Sequence, residues 1–497
     1  MPEAHPAAQP DLDVLIVGAG ISGISMAAHL HMRCPGLRYA LVERRERLGG
    51  TWDLFRYPGV RSDSDMYTLG FGFEPWTDAD AIANGDSILA YLDRVVGKYG
   101  IAPHMRLATR VLAADFSTAQ GLWRVTTEDR DGPRELTARF LYLASGYYDY
   151  DSPHDPPFPG RENFVGQIVH PQFWPEDCDY SGKQVVVIGS GATAVTLVPA
   201  MAQRAAHVTM LQRTPTWMSA QPRRDRMARI AQALLPASLA HRLIRARNVR
   251  FQDWVFRTAR KSPARIAAFL TRATRKALDH RYTETDWQPP YGPWEQRLCL
   301  VPDGDLFATI RSGRADVVTD RIARFNASGI MLESGRHLDA DIIVTATGLR
   351  LAMAGQIKVT LDGVRVNWRK HFYYRSCMFS NVPNLAVAFG YLNAGWTLRA
   401  DLTAAYVCDV LNAMQAKGAA IVRPVLPADH GLEEDNVYQF SSGYIQRALP
   451  LMPKSATALP WRLNQDYLED LRDYRRRPVD DGVLRFETVV ANTQKIA

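Results

Sequence analysis

DVLIVGAGISGISMAAHL, residues 13–30, is the stretch that decides the fold. A short apolar run leads into Gly18, Gly20 and Gly23, and an apolar, helix-compatible segment follows. This is the pattern of a tight strand-to-helix turn built to hold a pyrophosphate. The first glycine makes the turn, and the second lets the phosphate approach the backbone. The third lets the helix pack closely on its strand, and the helix N-terminus offers its N–H groups to the anion. Ser22 sits inside the same turn. A second copy occurs in QVVVIGSGATAVTLVPA, residues 184–200, with Gly189, Ser190, Gly191, Ala192, Thr193 and Ala194. A single glycine turn of this kind is a weak signal, but here the strand-before, helix-after context is met twice. Two dinucleotide sites in one chain point to two redox nucleotides facing each other.

The strands that follow the two turns differ. RYALVE ends at Glu43, placed to accept hydrogen bonds from a ribose diol. HVTMLQRT ends in Gln212 and Arg213, where a guanidinium can pair with a 2′-phosphate that an acidic residue would repel. The first site therefore reads as FAD-binding and the second as NADPH-binding.

At 497 residues the chain is long for a single core. The expected fold is α/β, with two Rossmann-like dinucleotide-binding domains and a helical insertion. Residues 1–146 and 342–497 are expected to form the FAD domain. Residues 147–216 and 291–341 would form the NADPH domain, and 217–290 the insertion. FLYLASG and DADIIVTATG mark the two crossings between domains. The insertion is strongly basic: residues 221–281 hold sixteen Arg and Lys against three Asp, while the whole chain carries only +7. The rest of the molecule is thus net acidic. Apolar residues in the insertion recur at helical spacing, which reads as amphipathic helices. Such helices can contact an anionic membrane surface peripherally, although a solvated face over a packed core is the commoner arrangement and the favoured reading. Nucleic-acid binding has no supporting motif. The N-terminal MPEAHPAAQPDLD has neither a basic region nor an apolar one, so no signal peptide is read there. Five scattered cysteines without a CxxC pair argue against a disulfide framework and a metal site, and fit a reducing cytoplasm.

Between the two turns lies FVGQIVHPQFWPE, residues 164–176. It matches FxGxxxHxxxWP, and on this motif the chain resembles the Baeyer–Villiger flavin monooxygenases. GGTWDLFRYPGVRSDSDMYTLGF (residues 49–71) and PWEQRLCLVPDGDLF (residues 293–307) extend the resemblance over nearly the whole chain. SDSDMYTLGF, QRLCLVP, NAGWTLRADL and PWRLNQDYL resemble the ethionamide-activating subgroup. The resemblance implies FAD and NADPH as cofactors. It also implies insertion of one oxygen of O₂ into a ketone, through a flavin peroxide, to give an ester or lactone, with sulfide oxidation as a companion activity. Arg297 and Asp63 are the implied catalytic pair: a permanent cation in the cleft and the carboxylate that orients it. Thr51, Trp52, Asp53 and Leu54 would run along the flavin, with Val111 on the following strand. His170 reads as a structural histidine, and Trp174 as packing. Tyr291, Trp294 and Trp396 are expected pocket walls. Two positions depart from the family pattern: Gln296 stands where a lysine is common, and FGYLNAGWTL (residues 389–398) replaces a Gly-Pro form. The competing readings are a heteroatom-oxidising flavin monooxygenase and a membrane-surface NAD(P)H:quinone oxidoreductase.

Overall fold

The computed structural model describes residues 9–296, 298–435 and 443–489. Two mainly parallel assemblies carry the two glycine turns. In the first, β1 (Leu12–Val17) lies between β2 (Tyr39–Val42) and the long strand Gly132–Leu143, parallel to both. Met105–Arg106 extends the sheet beyond β2, and Leu385–Val387 adds in parallel to Gly132–Leu143. Both faces of β1 are covered, which is why it reads as an almost unbroken apolar run instead of an alternating one. An antiparallel meander, Arg110–Ser117 to Leu122–Asp129 to Gly132–Leu143, continues the same sheet. The helix α1 (Ile21–Arg33) buries Ser22 to Leu30 and packs beside the late helix Trp396–Lys417.

The second sheet is wholly parallel, in the order Ala315–Thr319, His207–Gln212, Gln184–Ile188, Ile342–Thr345, Gln167–Val169. The expected domain boundary before residue 342 therefore falls one strand early. Ile342–Thr345 pairs with Gln184–Ile188, so the second crossing follows Thr345. IIVT is buried at all four positions, and an apolar run of that kind reads equally well in either sheet.

The expected insertion is helical: Arg226–Leu234, Ala237–Lys261 and Pro263–Leu278. It is closed at its base by the parallel strands Met218–Gln221 and Cys299–Pro302. Its long middle helix docks on the first domain, although the insertion interrupts the second. His241 Nε2 lies 3.0 Å from the Phe71 carbonyl. Arg245 donates to the Tyr67 and Gly70 carbonyls at 2.9 and 2.7 Å. Asn248 and Gln252 each donate an amide N–H to Asp65, at 2.9 and 2.6 Å. These four residues share one stripe of the helix. Among the described residues no helix is long and apolar enough to cross a membrane.

Candidate active site

The first glycine turn opens on a cavity of about 310 Å³, and the second reaches the same cavity through Ala192 and Thr193 at the start of its helix, with Gly189, Ser190 and Gly191 off the wall. In the first turn Gly18 has φ +108°, and a Cβ there would lie 2.5 Å from the Ala144 carbonyl oxygen. A Cβ on Gly23 would lie 1.8 Å from the Gly18 oxygen, so this glycine sets the approach of α1 to β1. Gly20 caps α1 without any side-chain bond, leaving the first-turn N–H groups to face the cavity. The buried Ser145 hydroxyl, also on the cavity wall, has no partner. A glycine cradle, uncapped helix N–H groups and an orphaned hydroxyl fit the phosphate region of a bound dinucleotide.

The second turn has the same build. Gly189 has φ +134°, and a Cβ there would meet the Ala346 oxygen at 2.4 Å. Gly191 caps the helix Ala192–Met201 with no side-chain bond, and a Cβ on it would meet open space. The third position, Ala194, is fully buried. Ser190 is tied by its hydroxyl to Thr216 at 2.8 Å and to the Thr214 carbonyl at 3.0 Å.

The structure brings Gly18, Gly20, Ser22, Glu43, Thr51, Trp52, Asp63 and Val111 of the first half to the cavity wall. Ala192 and Thr193 of the second half line it as well. Glu43 is buried, its carboxylate accepting from the N–H groups of Ala19 and Arg45, both at 2.9 Å. Burial pushes its pKa up from the ordinary carboxylate range, against those two hydrogen bonds and Arg45.

Other expected residues lie off the wall. Asp53, in the short helix Thr51–Leu54, is buried and held by Arg45 (2.6 Å), Arg56 (2.5 Å) and Arg47 (3.3 Å). Leu54 is buried beside it. Gln212 is also buried and donates to the Asp286 carbonyl and the Thr319 hydroxyl at 2.7 and 2.9 Å. Arg213 is exposed and makes no ion pair among the described residues. Arg297 lies outside the described residues.

Several contacts between residues of the site have no signal in the sequence. Tyr147 stacks on Trp396 (4.9 Å between centroids) and tilts on Tyr148 (4.2 Å), and all three line the cavity. Trp396 also donates its indole N–H to Ser22 at 2.8 Å, tying the late helix to the first turn. Trp396 is thus a wall as expected. Tyr291 faces a separate groove with Trp217, and Trp294 meets Phe256 edge-on. Arg61, two residues before Asp63, pairs with Asp305 of the second half. Tyr57 and Tyr150 on the cavity wall are each pushed by burial up to about 12, and so remain protonated donors across the working range. His170 caps the short turn Pro171–Phe173, its Nδ1 accepting from the Gln172 N–H at 3.1 Å. Burial pushes its imidazole down from the ordinary range.

Two glycine turns of the dinucleotide type, each contributing residues to the wall of one aromatic-lined cavity, define an oxidoreductase of the two-dinucleotide class. The family model described as pyridine nucleotide-disulphide oxidoreductase matches residues 15–237. The FAD-containing monooxygenase EthA of Mycobacterium tuberculosis is 50% identical over 477 residues, covering 96% of this chain and 97% of that protein. The probable FAD-binding monooxygenase AlmA of Acinetobacter baylyi is 46% identical over 478 residues, 96% of each chain. Among solved structures, an oxidized steroid monooxygenase bound to NADP superposes with a TM-score of 0.75 at 22% identity, over 96% of this chain and 99% of that one. An OTEMO complex with FAD and NADP gives 0.75 at 21% identity, over 96% and 100%. The chain belongs to the family of FAD-containing monooxygenases.

Proposed function

We propose that the protein uses NADPH and O₂ to insert one oxygen atom beside a ketone carbonyl, giving an ester or lactone, and that it oxidises organic sulfides in the same cleft. The observation that carries this reading is the single cavity lined by residues of both glycine turns together with Asp63. FAD, when bound, supplies hydride acceptance and oxygen activation. The remaining work falls to the chain. The turn at Gly18 to Gly23 holds the FAD pyrophosphate, Glu43 takes the ribose, and Thr51, Trp52 and Val111 bound the rest of the cofactor. The turn at Gly189 to Ala194 holds the second pyrophosphate, and exposed Arg213 meets the 2′-phosphate.

Arg297, oriented by Asp63, provides the fixed positive charge. Negative charge develops on oxygen during attack on a carbonyl, and in a dry cleft it needs a preorganised counter-charge. A guanidinium gives that charge without donating a proton away. Sulfur oxidation makes no oxyanion at a carbonyl, so it depends less on Arg297. The walls Tyr147, Tyr148 and Trp396 favour a largely apolar substrate. Five free cysteines fit a reducing compartment.

The test is Arg297→Ala in the FAD-loaded enzyme, assayed on a ketone and on a thioether. Ketone oxygenation should fall about 10²–10³-fold, with FAD retained and sulfide oxidation falling less. Undiminished ketone turnover would remove Arg297 from the catalytic assignment.

A further inference from the structure

The insertion leaves an apolar surface that its own packing does not use. Of the fifteen large apolar side chains exposed among the described residues, eight lie on its three helices. Monomeric proteins scatter such residues singly, so their concentration here calls for a partner. Met227, Ile230 and Leu234 follow i, i+3, i+7 spacing on the first helix, Leu234 being 77% exposed. On the long helix, Leu239, Leu243 and Trp254 fall on the side away from His241, Arg245, Asn248 and Gln252, the stripe that docks on the first domain. Trp254 is 61% exposed. The helix is therefore held firmly by one face and offers the other to solvent.

Charge says what covers it. The acidic residues of these helices are consumed internally, Asp225 by Arg247 and Asp253 by Arg257. Arg226, Arg229, Arg242, Arg250, Arg265 and Arg272 make no ion pair among the described residues. Arg242 and Arg250 sit on the free face, among Leu239, Leu243 and Trp254. Pairing with a second copy about a two-fold axis would set these same arginines against each other. An anionic lipid surface satisfies both features, taking the Leu and Trp side chains into the interface and the guanidinium groups at the phosphates.

We propose that the helical insertion is a peripheral docking surface for anionic membranes. The proposal does not rest on the reaction assigned above. Its long helix also presses Val249 against Tyr391, a wall of the cavity. A docked enzyme thus holds its active cleft one helix away from the lipid.

Flotation of the FAD-loaded enzyme with phosphatidylcholine vesicles, with and without phosphatidylglycerol, tests this. The enzyme should float with the anionic vesicles and stay behind with the neutral ones. Arg242→Ala with Arg250→Ala should lower the partition about 25-fold, from roughly 5-fold per arginine. Leu243→Glu with Trp254→Glu should abolish it. Both variants should keep bound flavin and NADPH oxidation, which shows that they are folded. Absence of flotation, or flotation indifferent to lipid charge and to both variants, would overturn the proposal. So would vesicle-free self-association that Leu243→Glu with Trp254→Glu dissolves, since the face would then join two copies.

Discussion

Gly23→Ala adds one methyl group at the point where α1 comes closest to its strand. The new Cβ would lie 1.8 Å from the Gly18 carbonyl oxygen and 3.4 Å from the Ala144 Cβ. Carbon and carbonyl oxygen normally sit about 3.3–3.6 Å apart, so α1 must retreat by roughly 1.5 Å. The helix cannot move freely, because Ser22 to Leu30 are all buried. Overpacking of this kind costs about 1–3 kcal/mol. The same retreat draws the N-terminal N–H groups away from the position of the pyrophosphate. Losing a hydrogen bond to a charged group costs about 1.5–3 kcal/mol, or roughly 10–100-fold in FAD affinity. The assay is the flavin-to-protein absorbance ratio after gel filtration, followed by titration of the apoprotein with FAD. Ala194→Gly is the control, since the corresponding position of the second turn already accommodates a methyl group. It should cost about 1 kcal/mol of helix stability and leave flavin content unchanged. A Gly23→Ala protein that binds FAD as tightly as its parent would refute the close-packing argument.

Three further outcomes follow from the site and its surroundings. Glu43→Ala should weaken FAD binding about 10–100-fold, by loss of charged hydrogen bonds, measured by flavin fluorescence on titration. Arg213→Ala should raise KM for NADPH about 10–100-fold, from the loss of one charge-assisted pair. KM for NADH should stay the same, which separates lost 2′-phosphate recognition from general damage. His241 is buried, and burial with the nearby Arg245 charge lowers its imidazole from the ordinary 6.5 to about 4. Between pH 6.5 and about 4 the unfolded chain binds a proton that the folded chain refuses. Stability contributed by this group is therefore full above pH 6.5 and is lost as the pH falls through that window, by up to roughly 3 kcal/mol. His241→Gln keeps a donor for the Phe71 carbonyl and should flatten this part of the melting-temperature profile, read by calorimetry at several pH values.

The two nucleotide turns were legible in the sequence because their demands are local. Gly18 and Gly189 take a positive φ, and neither they nor Gly23 leaves room for a side chain, so the residue type itself carries the information. The basic insertion was legible as helices for a similar reason, its apolar residues recurring along one chain segment. What stayed hidden depends on distant contacts. The docking stripe of His241, Arg245, Asn248 and Gln252 is polar and reads as ordinary helix surface until Asp65 and the Phe71 carbonyl are placed against it. Trp396 meets Tyr147 across about 250 positions of chain, a separation at which no periodicity survives. Asp53 sits in a segment that reads as flavin-facing, yet its buried side chain is taken up by three arginines and stays off the cavity wall. The boundary at Ile342 was misplaced because a strand covered on both faces carries no mark of the sheet it joins.

In the proposed reaction one cavity couples nicotinamide oxidation to oxygen transfer onto an organic substrate. Turnover of a simple ketone by the FAD-loaded enzyme under ¹⁸O₂, with NADPH consumption and product followed together, tests it most directly. One labelled oxygen should enter the ester or lactone for each NADPH consumed. NADPH oxidation that yields only hydrogen peroxide or a reduced quinone, with no labelled product from any ketone or sulfide, would contradict it.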